Sequence, residues 1–272
     1  MSQFSAPPTS AGASRRRLVI WATGGVVGVL VVLAGFLLFG GGGITAGGGS
    51  SGTASGPLVV SSTHTTVDGA PLDDAPDQWT NGLVVHPTSV VTVHDAPDGK
   101  PIAQVEPTQI GDTWLPVIDQ RPGWFRVLLP SRPNGSTGWL PDNDLQQAVS
   151  PYGVRVHLGS KTLELFRHGE SIGKWTIGIG KPSAPTPAGR TFILGAFTDE
   201  NQKYSPVILP LGTHSPTLDT FGGGPGTVAI HTWPTDEVYG TESSDGCIRV
   251  PPDALEKLTQ VPLGTIVLID EK

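Results

Sequence analysis

The 272-residue sequence has only one cysteine, Cys247, and only one methionine. A single cysteine excludes any disulfide within the chain, so the thiol is structural, reactive or paired with another chain. A buried cysteine that acts as a small apolar side chain is the simplest of these interpretations. If the chain leaves the cytoplasm, a lone thiol is exposed to oxidation, and its retention then favours a functional role.

Charge is also scarce, since charged residues make up 15% of the chain and the net charge is −7. The only basic cluster is Arg15–Arg17, and nothing downstream could follow a phosphate backbone. This charge pattern argues against nucleic-acid binding. Glycine (37) and proline (26) are abundant, which favours strands, turns and linkers over long helices.

An uncharged apolar run covers residues 18–39. As a helix it would be about 33 Å long at about 1.5 Å per residue, enough to cross the hydrocarbon core of a bilayer. The arginines before it place the tail, residues 1–17, in the cytoplasm and the rest of the chain outside. We expect a single-pass anchor in the cell membrane, with a cleaved signal peptide as the alternative. Residues 40–82, rich in Gly, Ser and Pro, are expected to be a linker.

Two mainly β modules are predicted after the linker. Residues 83–149 contain short alternating strands separated by turns such as Pro97–Gly99, a pattern typical of a small barrel or sandwich. Residues 150–272 indicate a hairpin with its tip at His168-Gly169 and a strand from Thr227 to His231. One or two short helices complete this second module, the first starting near Pro252.

The chemistry of the second module centres on Cys247. A thiol with an ordinary pKa near 8.5 needs a base before it can attack a carbonyl at neutral pH. His231 is the best candidate, because it ends an apolar strand that would hold it rigidly. Gly246 would permit a sharp turn, and backbone N–H groups beside it would stabilise an oxyanion. Arg249 would either bind a substrate carboxylate or pair with Asp245.

His231, Ser244, Gly246, Cys247 and Arg249 stand in the order and spacing of a known signature. This part of the chain resembles the L,D-transpeptidases with a YkuD-type catalytic domain. Their signature has a strand histidine and, about fifteen residues later, Ser-His-Gly-Cys followed by an apolar residue and Arg or Asn. Thr186–Gly189 matches the T-P-x-G turn of that family. Through VTVHDAPDG (91–99), GWFRVLLP (123–130) and GWL (138–140), residues 83–149 resemble bacterial Src-homology-3-like barrels. The resemblance implies such a barrel followed by a YkuD-type β-sandwich.

Two positions depart from the family pattern. Asp245 stands where the family usually has His, and Thr232 follows the strand histidine where Gly is frequent. Thr232 could orient His231 through its hydroxyl, or have no role. His214 and Ser215 are expected on a loop that covers the site and contacts substrate, with a turn that makes no such contact as the alternative.

The resemblance implies acyl transfer on peptidoglycan stem peptides. Cys247 would form a thioester, His231 would act as base and acid, and the product would be a cross-link between diaminopimelate residues. No metal or other cofactor is required, and inhibition by carbapenems is expected. The catalytic domain would lie outside the membrane, facing the cell wall. An L,D-carboxypeptidase using the same site and a non-catalytic wall-binding protein are the alternatives.

Three other enzyme classes fit the sequence less well. NlpC-type peptidases place the cysteine before the histidine, whereas here the histidine comes first. Sortases have a T-L-x-T pattern before their cysteine, which is absent here. A zinc peptidase would need clustered ligands, and His214, His231 and Asp236 do not form a recognisable set.

Overall fold

The computed structural model describes residues 57–221 and 224–272. The predicted tail, the anchor over 18–39 and the first part of the linker lie outside these residues and stay predictions. Within the described ranges, no helix has the length and apolar character needed to cross a membrane. The described chain is mainly β, as predicted.

The first module is a seven-stranded sheet with strand order β3-β2-β8-β7-β6-β1-β9, and every neighbouring pair in it is antiparallel. A separate two-stranded ribbon joins β4 to β5. Apolar and polar residues alternate along β2, where Val91 and Val93 point into the core. The resemblance of this sheet to a Src-homology-3-like barrel stays a prediction. Its strands are β1 (Leu83–Pro87), β2 (Val91–His94), β3 (Pro101–Val105), β4 (Thr108–Gln109), β5 (Gly111–Asp112), β6 (Leu115–Arg121), β7 (Trp124–Leu128), β8 (Thr137–Pro141) and β9 (Leu145–Val149).

The second module contains three sheets, with strand orders β12-β11-β10-β19-β14, β15-β16-β18 and β13-β17. The expected hairpin is present, because His168 and Gly169 adopt positive φ angles of 52° and 81° between β11 and β12. One α-helix, α1 (Pro252–Leu258), and one 3-10 helix, Asp236–Val238, are present among the described residues of this module. The strands are β10 (Tyr152–His157), β11 (Thr162–Arg167), β12 (Glu170–Thr176), β13 (Ile179–Gly180), β14 (Gly189–Phe192), β15 (Leu209–His214), β16 (Thr227–His231), β17 (Glu242–Ser244), β18 (Ile248–Arg249) and β19 (Ile266–Asp270).

Strand β19 contributes to two hydrophobic cores at once. Val267 and Ile269 pack in the core of the second module. Ile266 and Leu268, on the opposite face of the strand, pack with Phe192 in the core of the first module. The strand is therefore apolar at successive positions because both of its faces are buried.

Residues 58–82, here called the strap, pack on the folded unit, whereas the sequence prediction assigned them to the linker. Val67 is 1% exposed, and Val60, Thr66 and Leu72 form β-bridges with the first module. The Asp73 carboxylate accepts hydrogen bonds from the guanidinium of Arg190 on β14, and this ion pair is buried. The strap is held mainly by hydrogen bonds and therefore contains few apolar residues. Its composition for this reason resembles that of a linker.

Candidate active site

The candidate site is built on two paired strands. β16 and β18 run parallel, with Ile230 opposite Ile248 and His231 opposite Arg249. Cys247 immediately precedes β18 and lies two residues before Arg249, the residue opposite His231. Aligned residues of neighbouring strands point to the same face of a sheet, which places the imidazole and the guanidinium side by side. The topology thus brings together the histidine, the cysteine and the arginine that the sequence singled out.

His231 is held in one tautomer by the main chain. Its Nδ1–H donates to the carbonyl oxygen of Thr232 at 2.7 Å, which leaves Nε2 as a proton acceptor. The side chain is buried, and burial together with the positive charge of Arg249 lowers its pKa, while the Thr232 carbonyl opposes this shift. At neutral pH His231 is therefore an uncharged imidazole that can accept a proton through Nε2.

Burial raises the pKa of the Cys247 thiol. A backbone hydrogen bond with Ala229 and the charge of Arg249 lower this pKa, while Asp245 raises it. The resting state is consequently an uncharged thiol near an uncharged imidazole, without a hydrogen bond between them in the described part of the chain. Catalytic hydrogen bonds are frequently longer in ligand-free enzymes and shorten when substrate binds.

The loop before Cys247 is fixed by its own side chains. Ser244 is buried; its hydroxyl donates to the carbonyl oxygen of Cys247 at 2.6 Å and accepts from the N–H of Gly246 at 3.2 Å. Gly246 has a φ of +112°, which L side chains rarely adopt, although a Cβ there would meet no atom closer than 3.7 Å. Glycine is thus required by backbone conformation rather than by lack of space. The Ser244 hydroxyl thus bonds the main chain on both sides of the Gly246–Cys247 peptide.

Of the two sequence-based alternatives for Arg249, pairing with Asp245 is not observed. Asp245 forms an ion pair with Lys181 at the surface, so it is not the partner of Arg249. Arg249 donates to the hydroxyl of Ser243 at 3.1 Å, and its guanidinium lies over the ring of Trp233 at 3.9 Å. The Nε of Arg249 is buried without a hydrogen-bond partner among the described residues. This arrangement leaves Arg249 able to donate to an anionic group in the site.

Two aromatic residues that the sequence prediction missed complete the site. The ring of Tyr204 lies 4.9 Å from that of His231 and 5.5 Å from that of Trp233. Burial raises the pKa of Tyr204, and the neighbouring Cys247 adds to this effect. Trp233 follows the strand histidine by two residues, which is the one signal that could have identified it. Tyr204 carries no comparable signal, because it reaches the site from a distant loop.

The expected substrate contacts of His214 and Ser215 are wrong. His214 is 1% exposed, and its Nε2 bonds the carbonyl oxygen of Thr63 in the strap at 2.9 Å. The hydroxyl of Ser215 accepts from the N–H groups of Thr217 and Leu218, which closes a local turn. Both side chains serve the packing of the strap and a turn rather than the cysteine site.

The role suggested for the Thr232 hydroxyl is also wrong. That hydroxyl donates to the carbonyl oxygen of Tyr204 at 2.8 Å, and the N–H of Thr232 donates to Ser205 at 3.0 Å. It is the carbonyl oxygen of Thr232 that orients His231.

A group of three or more His, Cys, Asp or Glu side chains able to hold a metal ion is absent from residues 57–221 and 224–272.

Residues 151–269 match the family model described as the L,D-transpeptidase catalytic domain, YkuD. The chain is also similar to the "Putative L,D-transpeptidase YkuD" of Bacillus subtilis (strain 168), with 31% identity over 121 residues, 44% of this chain. The match spans 66% of that relative, just under two thirds of its length. The two sequence matches support a YkuD-type L,D-transpeptidase catalytic domain in the C-terminal part of the chain.

Two solved structures are similar over part of the chain. The catalytic domain of an E. faecium L,D-transpeptidase is 22% identical, with 45% of this chain and 98% of that chain covered and a TM-score of 0.35. L,D-transpeptidase 3 from Mycobacterium tuberculosis, in complex with a faropenem-derived adduct, is 14% identical, with 58% and 93% covered and a TM-score of 0.39.

Proposed function

We propose that the chain is an L,D-transpeptidase that cross-links peptidoglycan stem peptides through a thioester on Cys247. The observation that supports this proposal is the parallel pairing of β16 with β18, in which His231 lies opposite Arg249 and Cys247 immediately precedes the paired residues. The match of residues 151–269 to the family model supports the same reaction class.

In the first half of the reaction, Cys247 attacks the carbonyl carbon of diaminopimelate in a donor tetrapeptide. His231 accepts the thiol proton at Nε2 as the carbon–sulfur bond forms. The amide bond to the terminal D-alanine then breaks, and His231 returns the proton to the departing amine. Burial raises the pKa of the Cys247 thiol and lowers the pKa of His231, so the proton resides on the sulfur before the reaction begins.

In the second half, the side-chain amine of an acceptor diaminopimelate attacks the thioester carbonyl. His231 accepts a proton from that amine, the sulfur leaves, and the thiol is restored when His231 gives the proton back. Arg249 would hold a carboxylate of one of the two stems through its guanidinium group. No step requires a group that this chain does not supply.

The substrate lies outside the cytoplasmic membrane, so the proposal includes an anchor over residues 18–39 with the catalytic domain facing the wall. The charge pattern of the N-terminus supports this orientation. Protease treatment of intact spheroplasts should digest the catalytic domain, and protection of that domain would overturn the proposed orientation.

The central experiment is intact-mass spectrometry of residues 57–272 after incubation with imipenem, a carbapenem of the class expected to acylate the cysteine. We expect a one-to-one adduct, which Cys247→Ala abolishes and the matched variant Ser243→Ala keeps. No adduct on the wild type would favour a wall-binding protein over an enzyme. Incubation with disaccharide tetrapeptides then separates cross-linked dimers, expected here, from the tripeptides that a carboxypeptidase would release.

A further inference from the structure

The hydroxyl of Thr186 joins two parts of the site that are far apart in sequence. Thr186 is buried, accepts a hydrogen bond from the N–H of Gly180 at 2.9 Å, and donates to the carbonyl oxygen of Gly246 at 2.8 Å. A hydroxyl has one proton, and the bond from Gly180 leaves that proton for Gly246 alone. The residue just before the nucleophile is thus held through its carbonyl group.

The carbonyl of Gly246 and the N–H of Cys247 belong to one planar trans peptide, so they point in opposite directions. Fixing the carbonyl on Thr186 therefore fixes the direction of the Cys247 N–H. Gly246 has the positive φ that the loop requires, but glycine also makes rotation of this peptide easy. A rotated peptide would direct the carbonyl oxygen to where the N–H now points.

The N–H of Cys247 is free to act as a donor. Among the hydrogen bonds described for residues 57–221 and 224–272, it has no acceptor in the protein. The neighbouring N–H of Gly246 is occupied, because it donates to the hydroxyl of Ser244. The second candidate donor from the sequence is thus already satisfied, and the oxyanion of an acyl-transfer intermediate requires such a preorganised free donor.

We propose that Thr186 is a positioning residue, whose hydroxyl holds the Gly246 carbonyl so that the Cys247 N–H stabilises the oxyanion during acyl transfer. This role rests on the proposed function, because it needs attack of the sulfur on a carbonyl. It gives the threonine of the Thr186–Gly189 turn a chemical purpose beyond closing the turn.

The test compares two reactions of the same thiol in Thr186→Val, Thr186→Ser and the wild type. Acylation by imipenem passes through an oxyanion, whereas alkylation by iodoacetamide is a direct displacement without one. Loss of one oxyanion donor lowers a rate by about 10²–10³. A donor that is present but misdirected should cost somewhat less. We expect Thr186→Val to acylate about 10-fold to 100-fold more slowly and to alkylate within about twofold of wild type, with Thr186→Ser restoring acylation.

If Thr186→Val slows both reactions equally, Thr186 supports the loop structure in general. If acylation is unchanged, Thr186 does not position the oxyanion donor. Either result overturns the proposal. Thr186→Ala, which also lacks the hydroxyl, replaces Thr186→Val if the latter does not fold. A wild-type chain that alkylates but does not acylate would refute the proposed function itself, and this role with it.

Discussion

His214 and His231 end neighbouring strands of one sheet and are both buried, with 1% and 6% of their surfaces exposed. Burial lowers the pKa of both, that of His214 to about 4. Their surroundings differ, however. His214 bonds the strap at Thr63 and lies beside Asn134, whose side chain bonds the main chain of the same strand residue. His231 uses one nitrogen on the main chain and lies beside a thiol. Burial and a shifted pKa thus do not distinguish a catalytic histidine from a structural one. The distinction comes from the group that lies next to the ring nitrogen not bonded to the main chain.

The largest expected effect separates the two histidines by activity. His231→Gln removes the proton acceptor and should lower the transpeptidation rate by about 10²–10⁴. His214→Gln, the matched control, should stay within about threefold of wild type, because its partners belong to the strap. Steady-state rates on disaccharide tetrapeptides measure both. Comparable losses in the two variants would contradict the distinction.

The second effect concerns stability in acid and belongs to His214. Its pKa is about 4 in the folded chain and about 6.5 when unfolded, so between these values the unfolded chain binds more protons. The stabilisation from this group is therefore present above pH 6.5 and decreases as the pH falls, by about 2–3 kcal/mol at pH 4.5. His214→Gln should lack this part of the acid destabilisation.

Urea unfolding at pH 7 and pH 4.5 checks this expectation. His168→Asn is the control, because His168 is exposed on the β11–β12 turn and asparagine tolerates its positive φ. The control should lose as much stability in acid as the wild type does. An equal loss in His214→Gln would show that the buried imidazole does not resist protonation.

The smallest effect is expected at Thr232. Its carbonyl oxygen, not its hydroxyl, orients His231, and Thr232→Val keeps the carbonyl. We expect activity within about fivefold of wild type and a stability loss of about 1 kcal/mol, from the broken bond to Tyr204. Thermal unfolding and the same rate assay measure the two quantities. A hundredfold loss of activity would show that the Thr232 hydroxyl, rather than its carbonyl oxygen, orients His231.

Much of the cysteine site was predictable because its members lie in or next to strands that are close in sequence. The apolar run ending at His231 indicates a strand, and fifteen residues are enough for the chain to return to Cys247 beside it. Alternation and spacing carry such information. The pairing of Asp245 with Lys181 was not predictable, since opposite charges in surface loops have several possible partners.

The error at His214 has a different cause. Its hydrogen-bond partner Thr63 is 151 residues away in sequence, in a segment whose composition resembles that of a linker. Local patterns show that a strand end is present, but not which distant segment covers it. The same limit applies to Tyr204, which reaches His231 from a loop rather than from a paired strand. The strands could therefore be predicted, whereas the distant segments that pack against their ends could not.

The sharing of Ile266, Leu268 and Phe192 between the two modules has a practical consequence. A fragment trimmed to residues 151–269 would present these three side chains to water, each at a cost of about 1.5–3 kcal/mol. Such a fragment should be poorly soluble, and the intact described region should melt in a single cooperative transition. Residues 151–269 should therefore not be expressed alone as a catalytic fragment.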